Sequence, residues 1–248
     1  MVIRPFKHDK QYQVLLLGGR MFIYMLSSLL IACEMDDTEC LSKTTQQFLE
    51  KTCKGIPEYD IKPIDPLFVP SLDIKLSDKA ETILHYKNLT ITGLKNQKFS
   101  DFKMNTKDKS VVLQTRADLI IVGDVTIELS KVSKSFNGIR NLIALSALGT
   151  AKYGYDFKVD DKGVEHYEVG PETLTCQAVN EPEVTLSPEL SRALEDDLKE
   201  RKQRYNARRK EIQQNVFCKM VENAYVTVVH NIRAAAKILP KSAFLKGV

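Results

Sequence analysis

The chain carries four histidines, His8, His85, His166 and His230, and five cysteines, Cys33, Cys40, Cys53, Cys176 and Cys218. The histidines are scattered and no cysteine pair has CxxC spacing, so the compact donor set that zinc requires is not written into any one segment. No metal and no other cofactor is expected. Asp65, Asp73, Asp118 and Asp124 stand apart along the chain, away from any second carboxylate at acid/base spacing. There is no GxSxG elbow, no HExxH helix, no phosphate-cradling glycine-rich loop and no dinucleotide fingerprint. These residues argue against an enzyme and leave binding as the class of function to explain.

Residues suited to binding are present. Tyr153, Tyr155, Phe157 and Val159 recur at two-residue spacing, which puts them on one face of a strand. That strand should turn at Asp160-Asp161-Lys162-Gly163 and return over Val164 to Val169. Asn88-Leu89-Thr90 is a glycosylation sequon, available if the chain is secreted.

The element that must support such a face is a helix over Ile212 to Leu239. It has no Pro or Gly, and Val216, Met220, Tyr225, Val228, Val229, Ile232, Ala236 and Leu239 recur at helical steps. Val221, Ala224, Val226, Ala234, Ala235 and Ile238 widen the apolar surface, so the helix must be covered on most sides. Leu72 to Val184 reads mainly as antiparallel strands with one wet face and supplies the cover. The turn-prone pieces that separate these runs are Thr92-Gly93, Asn105-Thr106-Lys107-Asp108 and Gly123-Asp124.

Further elements flank this pair. Asp36, Asp37 and Thr38 can cap a helix whose Leu41, Thr44, Thr45, Phe48, Leu49 and Thr52 share a face, ending at Gly55. Its apolar face is small, as a mobile lid's would be, although a simply packed helix reads the same way. Gly55 to Leu67 holds three prolines and reads as extended. Ser187-Pro188-Glu189 opens another helix, with Leu190, Leu194 and Leu198 on one side.

Composition bounds the rest. A chain of 248 residues, 43% hydrophobic and 27% charged, can bury a full core. The formal charge is +4, but Arg4, Lys7, Lys10 and Arg20 against Asp9 put three of those charges in residues 1–32, leaving +1 on the remainder. Nucleic acid is therefore not the partner to expect. The basic cluster Lys199, Arg201, Lys202, Arg204, Arg208, Arg209 and Lys210 reads as a solvated helix or loop, with a docking patch for acidic lipid or a receptor as the alternative.

Met21 to Ala32 is an apolar run too short to span a bilayer, preceded by Arg20, and reads as the core of a signal peptide with a long n-region. An uncleaved signal anchor is the alternative. Residues 1–32 are thus the expected leader and residues 33–248 a single domain. In a secreted chain the cysteines point to disulfides. Cys33 and Cys40 are close enough for a small loop, and Cys176 can meet Cys218 if the sheet's end lies against the long helix, but spacing leaves the pairing open. Cys53 is left over.

Several motifs, in order, resemble one family. These are Gly55-Ile56-Pro57, Pro63-Ile64-Asp65-Pro66-Leu67, Asn88 to Lys95 (NLTITGLK), Ala117 to Asp124 (ADLIIVGD), Tyr153-Gly154-Tyr155 and Val229-His230-Asn231-Ile232-Arg233, together with Cys33 and Cys40. They are similar to the haemolymph juvenile-hormone-binding proteins of moths, within the wider takeout family of insects, over nearly all of residues 33–244.

The resemblance implies an α+β fold, a long C-terminal helix wrapped by a strongly curved antiparallel sheet, like one half of the bactericidal/permeability-increasing and lipid-transfer proteins. It implies disulfides Cys33–Cys40 and Cys176–Cys218, and a secreted haemolymph carrier of juvenile hormone, an apolar sesquiterpenoid epoxide ester, with no stable membrane insertion. A takeout-like carrier of a fatty acid or another terpenoid is the alternative. Burying roughly 300 Å² of ligand at about 25 cal/mol per Å² would contribute on the order of 7 kcal/mol before association costs.

By the same resemblance the Tyr153 hydroxyl donates to the epoxide and the helix over residues 37–53 closes on the ligand. Helix-face geometry adds Thr44, Phe48 and Leu49, with Val229 and Ile232, as lining. A monomer is expected, with a dimer linked through Cys53 as the variant. Four features depart from the family pattern: the long leader, Cys53, the basic segment at Lys199 to Lys210, and Ile139 to Ala151. The last lacks strand alternation and runs one residue long, so a register slip there would turn the Tyr153 hydroxyl to the opposite face.

Overall fold

The structure, a computed structural model, describes residues 30–76, 82–129 and 134–246. The signal-peptide core expected over Met21 to Ala32 therefore lies largely outside the described residues. Only its last residues are seen: Leu30 is buried, and Ile31 donates its N–H to Thr44 Oγ1 at 2.8 Å.

Helix α1 covers Thr38–Lys51. Asp37 caps it by accepting from Cys40 N, and Gly55 follows with a positive φ of 80°. A Cβ at Gly55 would meet Pro63 N at 2.8 Å and Ile61 O at 2.9 Å, so only glycine permits this close turn. The proline segment carries a 3-10 turn at Pro57–Tyr59, where proline fits the first position, and a second turn at Asp65-Pro66.

Seven strands follow: β1 Leu67–Lys75, β2 Thr82–Thr92, β3 Lys98–Asn105, β4 Ser110–Leu129, β5 Lys134–Val159, β6 Glu165–Ala178 and β7 Glu183–Leu186. All pairings are antiparallel, in the order β1-β2-β4-β5-β6, with β3 beside β4 and β7 beside β5. The turn expected at Gly123-Asp124 is not there. β4 runs straight through it, and a Cβ on Gly123 would lie 2.6 Å from Leu89 Cδ2, so the glycine serves close packing.

The segment Ile139 to Ala151 lies inside β5 and carries a bulge. Ala117 pairs with Ala147 and Leu119 with Ala144, so Leu145 and Ser146 together oppose Asp118. Ser146 adopts φ 70°. Beyond the bulge alternation is restored, and Tyr153 points inward, 6% exposed.

Helix α2, Pro188–Ile238, is one continuous helix of 51 residues that joins the two separate runs read from the sequence. Ser187 caps it by accepting from Leu190 N. Val216, Phe217, Met220, Val221, Ala224, Val228 and Val229 are fully buried against the sheet. Both disulfides implied by the resemblance form, Cys33–Cys40 and Cys176–Cys218, and such links stabilise by about 2–4 kcal/mol each. Cys53 is a free, half-buried thiol packed on the core. No helix among the described residues is long and apolar enough to cross a membrane.

Candidate ligand site

Strand register assembles the site in rows. Met104 pairs with Val111, Val111 with Tyr153, and Tyr153 with Glu172. Two residues on, Phe102, Leu113, Ala151 and Leu174 form the next row, and then Phe99, Thr115, Gly149 and Cys176. Each row steps across β3, β4, β5 and β6 on the inward face, because side chains alternate with a period of two. Val111, Leu113, Ala151, Tyr153, Val229 and Ala236 form one buried apolar cluster, with Phe99, Phe102, Met104, Leu174 and Ile232 packed against it.

Tyr153 brings a hydroxyl into this cluster, as does Tyr155. Burial pushes the Tyr153 hydroxyl pKa well up, with Arg233 pulling the other way, and among the described residues this hydroxyl makes no hydrogen bond. Tyr155 and Tyr167 stack beside Tyr153 with ring centres 5.1 Å apart.

Arg233, on α2, closes the outer end of the first row. Its guanidinium donates to Val169 O at 3.1 Å, to Gly170 O at 2.7 Å and to the Glu172 carboxylate. The neighbouring residues of the same motif work as fasteners. Asn231 accepts from Lys62 N and donates to Lys62 O, at 2.8 and 2.7 Å, which ties α2 to the proline segment. A groove of about 760 Å³ opens outside this end, but Asp108, Lys109, Asp156, Glu168, Glu172 and Arg233 line it. Those charges suit water better than an apolar chain, so the buried cluster within is the candidate site.

The expected lining residues divide between two places. Tyr153, Val229 and Ile232 come together in the tyrosine cluster. Phe48 and Leu49 are buried under α1 in the larger core, and Thr44 spends its hydroxyl oxygen on Ile31. Phe99 and Ile232 touch both clusters and join them. Sequence reasoning did not place Phe99, Phe102 and Met104 in the site, although the alternation of Phe102 and Met104 was visible. It put Tyr225 on the apolar face of the long helix but did not pair it with Thr115; the two hydroxyls are hydrogen-bonded to each other in the core. Burial pushes the Tyr225 hydroxyl up to about 12, with the Thr115 bond opposing.

The sequence profile of haemolymph juvenile hormone binding proteins matches residues 15–132. A juvenile hormone-binding protein of Manduca sexta is 56% identical over 218 residues, spanning 87% of this chain and 95% of its own. This chain belongs to the haemolymph juvenile hormone binding protein family. The crystal structure of Takeout 1 from Epiphyas postvittana covers 87% of this chain and 99% of its own at a TM-score of 0.73 and 19% identity, which shows a shared fold. A lipopolysaccharide binding protein aligns with 74% of this chain and 38% of its own, at 13% identity and a TM-score of 0.36.

For a member of the juvenile hormone binding protein family, the other features singled out in the sequence are surface or scaffold. Asn88 is exposed at a bulge in β2, with φ 53°, and its side-chain amide donates to Asp124 Oδ2 at 3.0 Å. Asp65 is buried and accepts from Gly93 N and Lys95 N, fixing a turn. In the basic segment, Arg208 pairs with Glu211, and Arg209 and Lys210 lie 3.8 Å from Glu181.

Proposed function

We propose that this protein is a secreted, non-enzymatic carrier that takes juvenile hormone into the buried cluster around Tyr153, transports it in haemolymph and shields it from hydrolysis. One observation carries the reading: the Tyr153 side chain, 6% exposed, stands in an apolar cluster, and its hydroxyl makes no hydrogen bond among the described residues. A ligand acceptor at that point would gain a hydrogen bond worth about 0.5–1.5 kcal/mol net. The close kinship with a juvenile hormone-binding protein of Manduca sexta supports the identity of the ligand. The two disulfides suit an oxidising compartment. A monomer fits the half-buried position of Cys53.

The test is competition binding on the secreted, oxidised protein. Labelled juvenile hormone is displaced by unlabelled hormone, by its epoxide-free precursor methyl farnesoate, and by palmitate. Preference for the epoxide, reduced about tenfold or less by Tyr153→Phe, is the expected result. Palmitate displacing the hormone at equal or lower concentration would replace the hormone reading with a fatty-acid carrier. Equal affinity of the Tyr153→Phe variant would remove Tyr153 from the site.

A further inference from the structure

Gln97 is 1% exposed, and both its side-chain amide atoms are buried with no hydrogen-bond partner. Its backbone N–H is used on Leu94 O at 3.1 Å, so the turn itself is satisfied and the side chain alone is left over. A buried amide missing both its donor and its acceptor bonds costs several kcal/mol relative to water. Native chains rarely carry such a group without a use for it.

Its position gives the use. β3 begins with Lys98 opposite Arg116, which puts Gln97 level with Ala117. Ala117 pairs with Ala147, and Ala147 with Ala178, so Gln97 heads a fourth inward row made otherwise of small residues. The bulge at Ser100 keeps Gln97, Phe99, Phe102 and Met104 on the same inward side of β3. Helix α1 lies over this strand, where its Gln46 accepts from Phe99 N at 3.4 Å.

The apolar strip of Phe99, Phe102 and Met104 therefore has an unpartnered polar group at each end, the Tyr153 hydroxyl in the first row and the Gln97 amide in the fourth. From Val111 to Ala117 the backbone spans about 20 Å, and the side chains at both ends reach inward and shorten it. What remains is comparable to an extended sesquiterpenoid with a polar group at either terminus.

We infer that the Gln97 side-chain amide is the second polar contact of the ligand site, donating its N–H to the carbonyl oxygen of the ester end while Tyr153 meets the epoxide end. This rests on the carrier reading above. It makes the site selective for a methyl ester as well as for an epoxide.

The experiment uses three probes with the full secreted chain: juvenile hormone, methyl farnesoate, which keeps the ester and lacks the epoxide, and an epoxyfarnesyl methyl ether, which keeps the epoxide and lacks the carbonyl. Gln97→Met should weaken hormone and methyl farnesoate by about three- to tenfold and leave the ether unchanged. Tyr153→Phe should weaken hormone and ether and spare methyl farnesoate. In parallel, hormone carrying a carbon-13 ester carbonyl is bound to the wild-type protein and its infrared carbonyl stretch is compared with that in hexane. A shift to lower frequency is expected, and it needs no variant to fold.

Equal loss for all three probes in Gln97→Met, or no loss for any, overturns the assignment, as does a carbonyl stretch at the hexane value. Wild-type protein that does not bind hormone overturns the carrier reading first and this assignment with it, so the two failures are told apart.

Discussion

Ser146 donates its backbone N–H to Asp118 Oδ1 at 2.6 Å, and its hydroxyl reaches the same oxygen at 3.1 Å. Asp118 sits on the strand opposite and thereby fastens the bulge in β5. Asp118 directly follows Ala117 and Ser146 directly precedes Ala147, and the bulge they form decides which face Tyr153 takes. Asp118→Ala removes a carboxylate acceptor from an exposed site and should lower stability by about 1 kcal/mol or less. Chemical denaturation measures this directly. An unchanged midpoint would mean that the positive φ of Ser146 is held by the strand pairing alone.

The Ile139 to Ala151 segment also marks where the sequence stopped being readable. Its loss of alternation was visible, but the remedy depends on a carboxylate more than twenty residues earlier. The Asp37 cap, the Asp160 turn and the apolar helix from Ile212 are local signals and were legible for that reason. The first half of α2 was read as a separate run because Lys199 to Lys210 has good helix formers and no apolar stripe, so periodicity is silent there. Gly123-Asp124 resembles a turn, and only the side chain of Leu89 packed on it explains a glycine inside a strand. In the site, Tyr153 came from a motif and Val229 and Ile232 from helix geometry. Gln97 had no signal at all, since an unsatisfied amide is a property of the packed interior.

Gly149 is a second position where packing sets the residue. A Cβ there would lie 2.3 Å from Tyr225 Cε2 and 2.5 Å from its Cζ, inside the aromatic ring's own space. The ring is buried and its hydroxyl is held by Thr115, so it has little room to yield. Gly149→Ala should destabilise by about 1–3 kcal/mol. Combining it with Tyr225→Leu should cost less than the sum of the two single changes, because the smaller side chain vacates the clash. Strict additivity in a double-mutant cycle would show that the ring already moves aside.

On the outer face of β2, His85 is bracketed by two carboxylates, Asp73 Oδ1 at 2.8 Å from Nδ1 and Glu128 Oε2 at 3.0 Å from Nε2. The bond to Asp73, then that to Glu128, raises the His85 pKa above its usual 6.5. A raised value means that the folded state favours the proton. The stabilisation is full below about pH 6.5 and is lost as pH rises through the elevated folded value. With the side chain 31% exposed, solvent screens the effect and it stays small. Thermal melts of wild type and His85→Gln should converge as pH rises past that value, and parallel curves would assign the pH dependence elsewhere.

Helix α1 has the attachments of a lid. At its start the Cys33–Cys40 disulfide ties it to Cys33, which accepts from Lys246 N and donates to Phe244 O, and at its end lies the glycine turn of Gly55. Between these points Leu41, Phe48 and Leu49 are its buried apolar side chains. A helix with so few anchors opens at lower free energy than the central strands. If a ligand fills the strip beneath it, from Tyr153 toward Gln97, the closed form gains contacts that the open form lacks and its population rises. Hydrogen exchange should then slow in Thr38–Lys51 by a larger factor than in Ser110–Leu129 when juvenile hormone is added. Equal protection of the two segments would assign the way in to some other part of the shell, with the Arg233–Glu172 end of β6 the next place to probe.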